Sequence, residues 1–206
     1  PLVAVVTGST ARTLRNPGFR SIPLFQHLLP SLLPTMDCGF EYVVVVGYDV
    51  GDPYYDKKST LQQVNAWFEE KVAGPALARR NISVALDMLR VDNKLRKPGP
   101  VFLAAAAKAY AHGAEYLYRV NDDTEFRTPW AAKFVGALQR LGPPYGVVGP
   151  ASENKKILVH DFTHRLHMDI FRGEYYPAEL TDWWLDDWIS CVYGRKRTIR
   201  AKNVEV

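Results

Sequence analysis

Two hydrophobic patterns alternate along the chain. Short β-branched runs recur, and between them apolar residues are spaced three and four apart. Residues 2–7 read LVAVVT and stop at Gly8, the signature of a strand buried on both faces. Residues 42–46 read YVVVV and lead into Gly47, Tyr48 and Asp49. Ile82 to Leu86, Tyr116 to Val120 and Tyr145 to Val148 give three further strands, and Thr198 to Val206 a last one. Helical spacing appears at Leu24, Leu28, Leu29 and Leu32, where Pro30 and Pro34 limit regularity. It appears again at Leu61, Val64, Trp67, Phe68 and Val72, and at Trp130, Phe134, Leu138 and Leu141 behind Pro129. Pro98-Gly99-Pro100 reads as a break, followed by an Ala-rich helix from Phe102 to His112 with Gly113 as its stop. Thr181 to Tyr193 reads as a helix capped at Thr181 or Asp182 and ended by Gly194.

This alternation predicts one α/β domain over residues 1–206, a sheet with helices on both faces. Ligands of such sheets bind beyond the carboxyl ends of strands. Polar residues stand at three of these ends: Thr7 to Thr10, Gly47 to Asp49, and Asn121 to Asp123. Length allows a single well-buried core, and no apolar run approaches a membrane span. The chain begins at Pro1, as expected of a domain excised from a longer protein. Two cysteines, Cys38 and Cys191, exclude a disulfide scaffold and a four-thiolate zinc site; one disulfide or two free thiols remain. Net charge is +4, with basic residues gathered at Arg195, Lys196, Arg197, Arg200 and Lys202 and at Lys94, Arg96 and Lys97. They read first as solvated faces; contact with nucleotide phosphates is a further reading, and no nucleic-acid module accompanies them. Asn81-Ile82-Ser83 is an N-glycosylation triplet.

The most informative segment is residues 116–126, YLYRVNDDTEF, in which an apolar strand delivers acids at its end. In an extended segment Asn121 and Asp123 share one face and Asp122 takes the other. Carboxylate and amide oxygens suit a hard divalent cation, which keeps positions open for substrate phosphates. An acidic turn capping the helix near Pro129 is the plainer alternative. Residues 183–188, WWLDDW, place Asp186 and Asp187 at a helix start, where acids also offset the helix dipole. A carboxylate there can take the proton of an attacking hydroxyl. The tryptophans suit a sugar face or the core, with at least one in the core. His160, His164 and His167 have metal-site spacing only if their segment is helical, and Leu166 to Phe171 reads equally as strand. The loop TGSTAR at residues 7–12 fails both the dinucleotide fingerprint and the phosphate-loop pattern.

Residues 102–126 resemble the helix–strand–DXD segment of GT-A-fold glycosyltransferases, and the likeness extends more weakly over most of the chain. The resemblance implies a GT-A-like, Rossmann-type mixed sheet with a nucleotide-binding N-terminal half and an acceptor-binding C-terminal half. It implies a metal-dependent transfer of sugar from a nucleotide diphosphate donor, UDP by default, to an acceptor hydroxyl on a glycan or protein. Asp123 would bind Mn²⁺ or Mg²⁺, with Asp122 as helper; Asn121 stands where the family commonly has Asp. Thr7, Arg12 and Asp49 would contact the nucleotide. Residues 183–188 resemble the late acidic motif of the family, which implies Asp187, or Asp186, as general base of an inverting reaction. The turn at Phe171, Arg172 and Gly173 resembles the one before that motif, so Gly173, His164, His167, Trp183 and Trp184 would face the acceptor. A Golgi or ER lumen is the implied location in a eukaryote, and the cytoplasm otherwise. Two other classes are open to the sequence: a sugar nucleotidyltransferase, whose glycine-richer first loop Thr7 to Arg12 matches poorly, and a non-catalytic binding domain of the same fold.

Overall fold

Among the described residues seven strands form one mixed sheet, in the order β3 (Val84–Val91), β2 (Glu41–Asp49), β1 (Leu2–Gly8), β4 (Tyr116–Arg119), β6 (Asp161–His164), β5 (Val147–Pro150), β7 (Thr198–Ala201). The structure is a computed structural model and describes residues 1–206 apart from Pro143, Pro144, Glu153 and Lys155. Strands β1 (Leu2–Gly8), β2 (Glu41–Asp49), β3 (Val84–Val91) and β4 (Tyr116–Arg119) are parallel. Strand β6 (Asp161–His164) runs antiparallel to β4 and to β5 (Val147–Pro150), and β7 (Thr198–Ala201) pairs parallel with β5. The chain lays down β1, β2 and β3 outward in one direction, then returns to place β4 on the other side of β1. That reversal makes the crevice beyond the carboxyl ends of β1 and β4 the topological switch point, where ligands of open α/β sheets bind.

Alternation along β1 explains why its run is continuously apolar. Val3 and Val5 pack on one face with residues of α1 (Leu29–Thr35), α2 (Lys58–Phe68) and α5 (Ala131–Arg140). Ala4 and Val6 pack on the other with α4 (Pro98–Ala111), α6 (Leu166–Ile170) and α7 (Leu185–Arg197). A short helix, α3 (Gly74–Arg80), follows α2 through a wide turn at Glu69–Ala73. Another wide turn, Leu24–Leu28, precedes α1 close to Pro30, which has no N–H to continue an α-helical ladder. No helix among the described residues is long and apolar enough to cross a membrane. Both cysteines are free and exposed.

Several expected boundaries move. Pro98-Gly99-Pro100 forms the first turn of α4 instead of a break, because the first helical positions need no N–H donor. Gly99 is required there: an added Cβ would lie 2.5 Å from the Leu180 carbonyl oxygen, and its N–H donates to Thr181 O at 2.8 Å. β3 starts two residues later than the apolar run and continues to Val91. Thr181 and Asp182 do not cap α7, which begins at Leu185 after Trp184 takes a left-handed conformation (φ 77°). The helical geometry breaks at Gly194, as expected, and β7 ends at Ala201. Leu166 to Ile170 is helical, whereas His160 and His164 flank and end β6, so the three histidines share no helix face.

Candidate active site

The loops leaving β1 and β2 are fixed by one buried carboxylate. Asp52 accepts hydrogen bonds from the Thr10 hydroxyl (3.0 Å), the Ala11 N–H (2.9 Å) and the N–H groups of Tyr54 and Tyr55 (3.0 Å each). The Ser9 hydroxyl lies 2.9 Å from the Tyr55 hydroxyl. Gly8 and Gly47 let α4 approach the strand ends: an added Cβ would lie 2.9 Å and 2.4 Å, respectively, from Val101 Cγ1. At the end of β2, the buried Asp49 carboxylate pairs with the Arg12 guanidinium and accepts Asn93 Nδ2 at 2.9 Å. These groups shape a cavity of about 180 Å³ whose walls include Thr10, Arg12, Asp49, Arg96, Lys97 and Asp122. Arg12 is paired with Asp49, and Lys97 Nζ donates to Asp182 Oδ2 at 2.7 Å, so Arg96 is the lining cation with no carboxylate partner among the described residues. Guanidinium and ammonium groups around so small a space suit a phosphorylated ligand. Thr7, by contrast, is buried within β1 and does not line this cavity.

A second cavity, about 640 Å³, adjoins the first, and Pro98 and Phe102 at the start of α4 belong to both walls. The positive end of the α4 dipole therefore lies between them. Asn121, Arg119, Trp183, Trp184, Asp186 and Asp187 line the larger one. Its floor is a buried polar network centred on Arg119, which is 3% exposed. Arg119 Nη2 donates to Asp161 Oδ2 at 2.5 Å and to the Asp186 carboxylate; Nε donates to the Tyr176 hydroxyl at 2.8 Å, and Nη1 to Val159 O at 3.1 Å. Asp161 also accepts the hydroxyls of Tyr175 (2.7 Å) and Tyr176 (2.8 Å). One guanidinium thus serves two carboxylates. Burial pushes the Asp186 carboxyl above its ordinary range, opposed by Arg119 and reinforced by Asp161. Asp187 shares the cavity and has no hydrogen-bond partner among the described residues. Both acids of the motif therefore line the cavity, one tied down and one free.

The turn after β4 closes with Thr124 N–H donating to Asn121 O at 3.2 Å. It is a turn and no longer extended, so the expected alternation is redistributed: Asn121 faces the larger cavity, Asp122 the smaller, and Asp123 is exposed beside them. Burial lifts the Asp122 carboxyl to about 6; the Ser9 hydroxyl holds it down and the neighbouring Asp123 charge pushes it further up. Among the described residues no group of three or more His, Cys, Asp and Glu side chains forms a cage for a metal. What Asp122 and Asp123 offer is an all-oxygen donor set beside a cation-rich cavity. It fits a hard cation that takes its remaining ligands from phosphate and water.

The remaining candidates lie elsewhere. His164 sits opposite Tyr116, at the end of β4 remote from Asn121, and its Nδ1 accepts Leu166 N–H at 3.1 Å. His167 is a core residue between the Tyr193 hydroxyl and Tyr175 O, each at 2.8 Å. Gly173 (φ 90°) ends α6, its N–H donating to Met168 O at 2.7 Å. None of these three lines either cavity. Trp183 and Trp184 are 80% and 68% exposed at the mouth of the larger one, whereas Trp188 packs against His167, Phe171 and Tyr176. His160, buried, approaches the acidic turn instead, with Nε2 3.1 Å from the Thr124 hydroxyl. Asp52, Arg119, Asp161, Tyr175 and Tyr176 were not anticipated. Arg119 carried a signal, being a charge inside an apolar strand directly before the acids. Asp161 lay in a segment with no strand pattern.

No protein-family model matches the sequence, and no curated protein matches it. Among solved structures the chain is similar to S. aureus TarS, at 14% identity and a TM-score of 0.60, covering 98% of this chain and 35% of that one. It is similar also to the TarS fragment 1–349, alone (TM-score 0.58) and in complex with UDP (0.57). In both of these the identity is 14%, and the coverage is 98% of this chain and 58% of that chain. The chain therefore spans less than two thirds of these TarS chains. At this identity the likeness shows the fold, and the protein is an α/β domain with a GT-A-like, seven-stranded mixed sheet.

Proposed function

We propose that the domain transfers a sugar from a nucleotide diphosphate donor, with UDP the first nucleotide to test, to an acceptor hydroxyl. The observation that carries this is the pair of adjoining cavities at the switch point. One is small and lined by Arg12, Arg96 and Lys97 with Asp49 and Asp122, the other is larger with a free carboxylate and aromatic rims, and the Asn121–Asp123 turn stands between them. The UDP held by one TarS structure of the same fold supports the choice of nucleotide.

In this reading the base and ribose enter beside Asp49 and Arg12, and the diphosphate meets Arg12, Arg96 and Lys97. Asp123, with Asp122, would hold Mn²⁺ or Mg²⁺, which would supply Lewis-acid stabilisation of the leaving diphosphate. The sugar projects past Phe102 into the larger cavity. Trp183 and Trp184 present ring faces suited to the apolar side of an acceptor pyranose. Asp187 takes the acceptor hydroxyl proton as that oxygen attacks the anomeric carbon. The bond from the anomeric carbon to phosphate breaks, its electron pair leaves with the nucleoside diphosphate, and the configuration inverts. Asp186 is the less suited base, since Arg119 already holds it, and we assign it the role of orienting the helix start.

Isothermal titration with UDP and GDP, in Mn²⁺ and in EDTA, tests the donor half of this reading. Tighter UDP binding in Mn²⁺, lost in Asp123→Asn, is expected. Affinity unchanged by chelator in both proteins would remove the metal from the proposal.

A further inference from the structure

A third cavity, about 280 Å³, lies at the far end of α7 and is lined by Lys156, Ser190, Arg195, Thr198 and Arg200, with Leu158 and Gly194. We propose that it is a binding site for a phosphate-type oxyanion, separate from the nucleotide cavity. Three cations and two hydroxyls converge there, and no acidic side chain is among its lining residues within the described part of the chain. None of the three cations pairs with a carboxylate among the described residues.

The hydrogen-bond pattern points the same way. Thr198 Oγ1 and Arg200 Nε are buried without a partner, two of only a few such atoms among the described residues, and both stand in residues of this lining, behind its surface. Ser190 Oγ accepts Leu158 N–H at 3.0 Å, which leaves its own hydrogen available to donate. Gly194, at φ 59°, breaks the helix so that Ser190 and Arg195 before and after it meet β7 residues around one space. A cation at a helix end can simply satisfy carbonyls. Arg197 does that kind of work, donating to Leu141 O and stacking on Tyr145, but Arg195 has no hydrogen-bond partner among the described residues. Guanidinium, ammonium and hydroxyl donors together match the oxygens of a phosphate.

The cavity is also mechanically joined to the candidate active site. Arg200 Nη2 donates to Ile157 O at 2.8 Å, and Ile157 lines the larger cavity while its neighbours Lys156 and Leu158 line this one. Residues 156–158 are thus a shared wall. The proposal does not rest on the transferase reading; the site stands on its own lining.

Inorganic phosphate and dimethyl phosphate are the probes, titrated by calorimetry at constant ionic strength set with chloride, with and without saturating UDP. Arg195→Gln and Lys156→Gln change exposed side chains, and near-UV circular dichroism checks that both variants keep the native packing. The expected result is phosphate binding that persists in UDP and weakens roughly tenfold in each variant, as the loss of one charged hydrogen bond dictates. Binding of dimethyl phosphate as well would assign the site to a phosphodiester within a larger ligand; binding of inorganic phosphate alone would assign it to the free ion. Binding of neither probe, equal binding by wild type and both variants, or full displacement by UDP would overturn the proposal.

Discussion

Arg119→Met offers the sharpest test of how the site is built. The side chain is 3% exposed and bridges Asp161, which is wholly buried, to Asp186. Methionine fills similar volume, so the change removes charge and donors more than packing. Removing one partner of a buried ion pair strands the other and costs about 3–5 kcal/mol. Here Asp161 keeps two donors, the hydroxyls of Tyr175 and Tyr176, which argues for the lower end, about 3 kcal/mol. Against a total stability of roughly 5–15 kcal/mol that is a large fraction. The assay is urea denaturation at neutral pH, followed by far-UV circular dichroism. Adding Asp161→Asn to Arg119→Met should recover much of the loss, because the stranded charge is then gone. A cost below about 1 kcal/mol for Arg119→Met alone would refute the buried network as the support of the site floor.

Other predictions follow from single positions. Gly47→Ala should destabilise by about 1–3 kcal/mol through overpacking, since its Cβ would meet Val101 Cγ1 at 2.4 Å; Val101→Ala in the same chain should restore part of the urea midpoint. Burial lowers His160 from 6.5 to about 3, with the Arg119 charge adding to the effect. The native state therefore refuses a proton that the unfolded state accepts below about 6.5. Stability should fall on acidification through that window by up to about 1.4 kcal/mol per pH unit for this one group. His164 and His167, also lowered by burial, act with the same sign. His160→Gln should flatten the pH dependence between pH 6.5 and 3, and an unchanged slope would contradict the assignment. Asp187→Asn should cut turnover by ~10²–10⁴-fold with UDP affinity unchanged; if Asp186→Asn alone produces that loss in steady-state kinetics, the two roles are exchanged.

The sheet was legible because β1 and β2 are buried on both faces and therefore write continuous apolar runs. Their exits at Gly8 and Gly47 and the acidic end of β4 marked three strand ends as ligand-binding ends, because the pattern there changes abruptly from apolar to polar; which of them form the switch point depends on the strand order. β6 was missed because its Asp161 and Thr163 are buried polar residues satisfied by tertiary partners, which no local pattern records. The same partners hid the network around Arg119, whose two carboxylates are 42 and 67 residues away in sequence. His164 and His167 drew attention as chemistry, yet one caps a turn and the other ties Tyr175 to Tyr193 in the core. Spacing alone could not tell these from a site, because β6 ends and α6 begins between them. Trp188 is the motif tryptophan that joins the core, while Trp183 and Trp184 are carried outward by the left-handed turn at Trp184.

The decisive measurement is nucleoside diphosphate release from a panel of UDP- and GDP-sugars with Mn²⁺ and candidate glycan acceptors. Wild-type protein should release the diphosphate from one donor class, with acceptor stimulation; Asp187→Asn should slow that release by ~10²–10⁴-fold, and Asp123→Asn should impair both donor binding and release. Pyrophosphate formation in place of diphosphate release would instead indicate a nucleotidyltransferase. Tight nucleotide-sugar binding with no release under any condition would contradict catalysis and leave a binding domain.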